Sequence, residues 1–361
     1  MKIAIDSGPL ESGHKVRGVG VYTREIIEAL GRITRNRKEI KIVPLDFSVQ
    51  SSKLKAQNFD LKHYTYFNPF FLTLPFVKTS KVVVTIHDVI PLLYPKQYPP
   101  GMKGKLKFLI NKQLLKKIDG VIAPSETSKK DIVRFLGVPA EKIKVIYEAP
   151  REIFRKLEVR DQRLANIKKK YKLPKTFALY VGDVNYNKNL LNLAEACNIS
   201  KIPLVLVGKQ TTDENIDLSH VENQPFAEFL NRHGKSATIL RLGYVPDEEL
   251  VAIYNLALVY CQPSHYEGFG LSVLEAMAAG TPVVAAKTQA LVEVAGGACL
   301  FANPIDPKDI ATKLKEVIYD PQLRWQLIET GKVVVKKYSW EKTARDTLRV
   351  YRNILSGKTN D

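Results

Sequence analysis

Between Leu256 and Ala286 the chain reads as an apolar run, a glycine loop, a helical stretch and a second apolar run. Leu256 to Cys261 has the character of a buried strand, and Pro263-Ser264 ends it. Gly268 and Gly270 then leave the backbone barely shielded. From Leu271 to Ala279 the apolar spacing is helical, Gly280-Thr281-Pro282 stops it, and Pro282 to Ala286 is the next strand. Strand, glycine loop, helix and strand in that order make a parallel βαβ unit, which commits this region to an α/β fold with an anion-sized opening at the helix start. Backbone N–H groups from Phe269 to Ser272 lack intrahelical partners there and favour negative charge. Glu267 precedes the loop, and Glu275 lies roughly one turn inside the helix. The spacing suits a ligand with a diphosphate at the helix start, vicinal ribose hydroxyls on Glu275 and a sugar on Glu267. A plain βαβ unit with one surface and one mid-helix glutamate fits the same spacing, because glycine-rich loops are common.

The chain has 361 residues, enough for about two domains. Its three cysteines, Cys197, Cys261 and Cys299, lie in or beside apolar segments with neither metal-ligand nor disulfide-pair spacing, which points to buried thiols and a reducing compartment. No secretory signal opens the sequence and no apolar run approaches the ~20 residues of a membrane span. The expected location is therefore cytoplasmic. The net charge of +18 is uneven: residues 1–160 hold 30 Lys+Arg against 15 Asp+Glu, and the remainder 25 against 22. The first half is thus expected to face something acidic, such as an anionic membrane at its inner face, a diphosphate-linked lipid or nucleic acid. Scattered solubilising lysines are the plain alternative.

Along the first half, a strand (Lys2 to Asp6) leads to Arg17-Gly18-Val-Gly20 and then to helical spacing from Tyr22 to Leu30. This is a second glycine loop at a helix start, or a simple tight turn. Phe67 to Phe76 is proline-broken yet apolar, and reads equally as a packed loop or as a lip facing acceptor or membrane. Lys81 to Ile90 is a strand ending in His87 and Asp88, and the carboxyl end of a parallel strand is where ligands bind. Lys103 to Ile118 is a basic amphipathic helix whose stripe Leu106, Leu109, Ile110, Leu114 and Ile118 is expected to pack on the sheet, with its lysines left for a membrane. Ser125 stands where a helix N-cap is needed.

The run Glu267-Gly-Phe-Gly-Leu-Ser-Val-Leu-Glu275-Ala-Met-Ala-Ala-Gly-Thr-Pro-Val-Val resembles the E-x7-E signature of retaining glycosyltransferase family 4. Leu242-Gly-Tyr-Val-Pro-Asp-Glu-Glu-Leu250, Gln289-Ala-Leu-Val-Glu-Val294, Tyr180-Val-Gly-Asp-Val-Asn-Tyr-Asn-Lys-Asn189, Thr85-Ile-His-Asp88 and Pro124-Ser-Glu-Thr-Ser-Lys129 resemble further family segments in order. The resemblance spans nearly the whole chain. It implies the GT-B fold, with two Rossmann-like α/β domains facing a cleft. Residues 1–165 would bind acceptor, 170–340 would bind the nucleotide sugar, and 341–361 would return to the first domain.

The resemblance also implies roles. Donor contacts fall to Gly18, Gly20, Gly182, Lys188, Gly243, Tyr244, Val245, Gly268, Phe269, Gly270, Leu271 and Glu275. Catalytic duty falls to His87, Lys188 and Glu267, and the acceptor side to Arg17, Asp88 and Ser125. Two departures stand out. The arginine that usually accompanies the lysine is replaced by Asp183, with Asn187 at the other position where it can occur, so Arg17 or the helix dipole is expected to compensate. The usual N-G-V-D segment reads Glu148-Ala-Pro-Arg151. No cofactor and no metal are expected, since no Asp-x-Asp pair or metal-ligand cluster occurs. The implied reaction is hexosyl transfer to a glycan or polyprenyl-diphosphate-linked acceptor in polysaccharide or lipopolysaccharide assembly. GDP-mannose is the leading donor; UDP-glucose, UDP-N-acetylglucosamine and dTDP-rhamnose remain open. A sugar-nucleotide epimerase of the same fold is the other enzyme class. A nucleic-acid partner is not expected, because no interleaved basic and aromatic motif accompanies the charge. A nicotinamide dehydrogenase is disfavoured because Gly18 and Gly20 come too late after the first strand.

Overall fold

A computed structural model describes residues 1–47 and 58–357. Two compact units are present, residues 1–149 with 338–361, and residues 150–337. Residues 358–361, at the end of the stretch expected to return to the first domain, lie outside the described part.

The first unit holds six parallel strands: β1 (Lys2–Asp6), β2 (Lys41–Leu45), β3 (Leu61–Tyr64), β4 (Lys81–Thr85), β5 (Gly120–Ala123) and β6 (Ile143–Val145). Their order is β2-β1-β3-β4-β5-β6. β4 is Lys-Val-Val-Val-Thr, and its run of β-branched side chains suits a strand covered on both faces. Side chains alternate across the sheet. Val83 therefore packs with Ile3, Ile5, Tyr22 and Ile26, under the helices Gly18–Thr34 and Trp340–Ser356. Val82 and Val84 pack with Leu114, Leu115 and Ile132 on the opposite face.

The second unit is another six-stranded parallel sheet: β7 (Ala178–Val181), β8 (Leu204–Val207), β9 (Ile239–Arg241), β10 (Val259–Gln262), β11 (Val283–Ala286) and β12 (Leu300–Ala302), in the order β12-β11-β10-β7-β8-β9. Leu256 belongs to the preceding helix, Asp247–Leu256, rather than to the strand expected to begin there. Leu204, Leu206, Tyr180 and Cys261 form a core with residues of the helices Leu190–Ser200 and Pro307–Tyr319.

Further expectations are corrected. The first unit ends at Ala149, not near 165. The segment after it is anchored in the second unit, where Leu157 N donates to Asn255 Oδ1 at 2.9 Å and Lys170 Nζ to Glu249 Oε2 at 2.7 Å. Gly18 and Gly20 are not in a loop: the helix starts at Gly18. A Cβ on Gly20 would collide with the backbone carbonyls of His14 and Lys15, so its absence lets that turn close over the helix start.

The basic helix, Gly101–Lys117, is rotated from the expected stripe. Leu106 and Leu109 are each 61% exposed, while Gly104, Asn111, Leu114 and Leu115 are buried. The buried face is set by contacts that hydrophobicity does not announce. Gly104 faces Phe70, where a Cβ would make an ordinary contact at 3.6 Å, and Asn111 Nδ2 donates to the carbonyls of Asn68 (3.2 Å), Pro69 (3.0 Å) and Phe71 (2.8 Å). Among the described residues, no helix is long and apolar enough to cross a membrane.

Candidate active site

In the second sheet the strand order reverses between β7 and β10, the switch point beside whose carboxyl ends open α/β sheets bind ligands. The β7 loop carries Gly182, Asp183 and the single turn Tyr186–Lys188, and the β10 loop runs from Pro263 to Gly270. Asparagines stitch the two together. His265 N donates to the Asn187 carbonyl at 2.8 Å, and Asn187 Nδ2 to the Tyr266 carbonyl at 3.2 Å. Asn189 takes a left-handed conformation (φ 58°), which asparagine tolerates better than most residues, and its Nδ2 donates to the Pro263 carbonyl at 2.8 Å.

This stitching brings Lys188 onto Glu267. Lys188 Nζ lies 2.8 Å from Oε1 and 2.9 Å from Oε2. Glu267 is 8% exposed, and its Oε1 also accepts from Ser264 Oγ (2.6 Å) and Gln262 Nε2 (2.8 Å). Gln262 in turn accepts from the Tyr260 hydroxyl. Four hydrogen bonds onto one carboxylate fix its direction, as a group that must orient a ligand should be.

The helix Leu271–Ala278 begins directly after this loop. Gly268 and Phe269 lead in, Gly270 has φ +108° and Leu271 is the first helical residue. An L side chain rarely adopts that φ, and a Cβ would also come within 2.6 Å of Leu291 Cδ2, so the turn that aims the helix start requires glycine here. Glu275 is 2% exposed. Its Oε1 accepts from Arg151 Nε at 2.7 Å, and Arg151 Nη1 donates to Asp247 Oδ2 at 2.5 Å. The guanidinium sits 4.6 Å over the Phe154 ring. Burial works against its charge, but the two carboxylates outweigh that and push its pKa further up.

Gly243, Tyr244 and Val245 follow β9; Gly208 N donates to the Gly243 carbonyl at 2.9 Å, Val245 is buried and Tyr244 is exposed. The two positions where the family's arginine was looked for are occupied otherwise. The Asp183 carbonyl accepts from the Tyr180 hydroxyl at 2.6 Å, and Asn187 holds the loop as described.

In the first sheet the order reverses between β1 and β3. Arg17 is the residue before the helix Gly18–Thr34 and lowers the pKa of Tyr66 by its charge, against a net rise that burial dominates. His87 follows β4, with Nδ1 3.1 Å from Glu148 Oε1 and Nε2 3.1 Å from the Thr65 carbonyl. A carbonyl only accepts, and a carboxylate accepts too, so these partners favour the charged imidazolium of His87, with both ring nitrogens donating. Burial opposes that charge, yet Glu148, the Thr65 carbonyl and Asp88 hold its pKa above the ordinary value. His87 is thus built to donate, not to act as a base. Asp88 Oδ1 accepts from Ile90 N at 2.9 Å. Ser125 caps its helix, accepting from Ser128 N at 2.9 Å, and is fully buried.

Sequence reasoning passed over Gln262, Ser264, Arg151, Asp247 and Glu148 as site residues. A signal existed for two of them. The segment Glu148-Ala-Pro-Arg151 stood out as a departure, and each of its charged residues pairs with a residue singled out for the site, Glu148 with His87 and Arg151 with Glu275.

Two six-stranded parallel sheets with crossover helices match the GT-B architecture, and a fixed lysine–glutamate pair beside a glycine-led helix start suits a ligand that carries both negative charge and hydroxyls. Residues 162–334 match the family described as "Glycosyl transferases group 1" and residues 22–149 match "Glycosyltransferase Family 4". The chain is 30% identical to the O-antigen chain mannosyltransferase B of Escherichia coli over 303 residues, 81% of this chain and 75% of that one. It is 27% identical to the serotype-specific mannosyltransferase WbdA of Escherichia coli, covering 76% of this chain but only 34% of that longer protein. The solved sucrose-phosphate synthase of Thermosynechococcus elongatus superposes with a TM-score of 0.77 at 18% identity, over 99% of this chain and 100% of the other, and so shares the fold. The chain belongs to glycosyltransferase family 4, is similar to mannosyltransferases within it, and is a hexosyltransferase.

Proposed function

We propose that this enzyme is a retaining transferase that moves mannose from GDP-mannose to a growing glycan, free or carried on a lipid diphosphate. The observation that carries the reading is the meeting of Lys188, Glu267 and the helix start at Leu271 at one switch point. There the donor diphosphate lies against the helix N–H groups, with Lys188 beside it. Glu275 takes the ribose hydroxyls and Glu267 the sugar. The C1–O bond to phosphate loosens first, and negative charge collects on the departing diphosphate, where Lys188 and the helix start stabilise it. The acceptor hydroxyl enters on the same face and gives its proton to that phosphate. On the acceptor side, in the first unit, Arg17 and the His87 ring held by Glu148 and Thr65 supply positive charge, and Asp88 supplies a hydrogen-bond acceptor. The similarity to O-antigen mannosyltransferase B supports mannose over glucose, N-acetylglucosamine or rhamnose. No metal is assigned a role, because the lysine and the helix start already meet the phosphate charge.

We place the acceptor side at an anionic membrane surface on the cytoplasmic side. Phe71, Phe76, Val77, Met102, Leu106 and Leu109 are all exposed, and between residues 67 and 117 nine lysines stand against one acid, Asp88. Lys107 lies over the Phe71 ring at 5.2 Å, which mixes charge and apolar surface as an interfacial contact requires.

The test is nucleotide release from a panel of sugar nucleotides in EDTA, with and without lipid extract, for the parent and Lys188→Met. GDP release from GDP-mannose, stimulated by extract and lowered on the order of 10²–10³ in kcat by the substitution, is expected. A variant with parental kcat would refute the assignment of Lys188. Release from another donor would replace GDP-mannose, and donor conversion without any acceptor would favour the epimerase.

A further inference from the structure

We infer that Arg151 is the positioning residue of the ribose site, holding Glu275 ionised and oriented and tying it to the loop at Gly243–Val245; this rests on the donor reading above. Glu275 is almost wholly buried. Burial at that depth works against the charge of an isolated carboxylate, and a protonated carboxyl turns one of its oxygens into a donor and accepts from neighbouring hydroxyls more weakly. Arg151 Nε, 2.7 Å from Oε1, supplies the missing charge and fixes the carboxylate plane. Its Nη1 reaches Asp247, the first residue of the helix that follows Gly243–Val245. One rigid guanidinium, braced on the Phe154 ring, therefore sets the spacing between a ribose carboxylate and the Gly243–Val245 loop counted among the donor contacts. A lysine could supply charge to one carboxylate but not the two-armed geometry. A merely structural role, tethering the segment after Ala149, would affect stability and leave ribose recognition alone.

The test reads ribose recognition directly. Binding of GDP and 2′-deoxy-GDP, and of UDP and 2′-deoxy-UDP, is measured by calorimetry for the parent, Arg151→Met, Arg151→Lys and Asp247→Asn. The parent is expected to prefer the ribo form of one pair by about 10-fold or more, the worth of a hydrogen bond to a charged group. In Arg151→Met the ribo form should fall to the affinity of the deoxy form while the deoxy form holds. Raising the pH should bring part of the preference back, because it favours the ionised form of the carboxylate. Arg151→Lys should restore part of the preference, and Asp247→Asn should lower it. Parental preference in every folded variant, with stability alone reduced, would overturn the role of Arg151. A parent that binds ribo and deoxy forms equally would overturn the ribose role of Glu275 while leaving a donor site. A parent that binds neither nucleotide would overturn the donor reading itself.

Discussion

Acid should weaken the first unit through one buried histidine. His63 is fully buried on β3, with Nδ1 2.6 Å from the Tyr351 hydroxyl and Nε2 2.8 Å from Thr85 Oγ1, which also bonds the Tyr22 hydroxyl at 2.8 Å. Burial, and then the charge of His87, push its pKa down to about 3 from an ordinary 6.5. A histidine whose folded pKa is depressed stabilises the fold above its unfolded pKa, and that contribution drains away as pH falls toward 3. At pH 5 the unfolded chain has taken up the proton and the folded chain has not. The gap of about 1.5 pH units below 6.5 is then worth about 2 kcal/mol, against almost nothing at pH 7.5. His87 acts in the opposite sense: its raised pKa gives stability that is complete below 6.5 and is lost as pH rises through its folded pKa. A His63→Gln comparison cancels that contribution. Urea unfolding can be followed by fluorescence in a Trp325→Phe background, since Trp325 is 63% exposed in the second unit whereas Trp340 is 3% exposed and lies 6.1 Å from Tyr22 in the first. Between pH 7.5 and 5 the protein retaining His63 should lose about 2 kcal/mol more than His63→Gln. Parallel losses in the two proteins would refute the reasoning.

Two further outcomes test other parts of the structure. Gly270→Ala forces a side chain to φ +108° and against Leu291, so it should cost about 1–3 kcal/mol and raise the donor KM, read by thermal unfolding and initial rates; an unchanged KM would detach the loop from the donor. Asn111→Leu removes three hydrogen bonds to the 68–71 backbone and should cost about 1–3 kcal/mol while freeing that stretch to hydrogen exchange. Sedimentation with anionic vesicles should fall with it, and full binding by a protein with a loosened loop would remove Phe71 from the proposed contact.

The sheet strands were legible because a parallel strand covered on both faces must be apolar along its length, as β4 and β8 are. The signature stretch was legible because glycine, proline and carboxylate positions there answer to backbone geometry and charge, which are local. The helix Gly101–Lys117 was misread for the opposite reason. Leu106 and Leu109 look like core, but Asn111 decides which face turns inward, through hydrogen bonds to a loop some forty residues earlier. Gly20 was misread similarly, since what it accommodates is the backbone of His14 and Lys15, not a ligand loop.

By itself the sequence determined the α/β class, the order of its units and the placing of Glu267 and Glu275 on either side of a helix start, because these follow from periodicity and short-range spacing. Only the tertiary structure decided what those carboxylates touch. Strand order carries Lys188 to Glu267 across 79 positions and Arg151 to Glu275 across 124, and brings Glu148 to His87 across 61. Pairings at such separations are settled by which strand ends become neighbours and by the cost of burying an unpartnered charge, and neither is written in any local stretch of the chain.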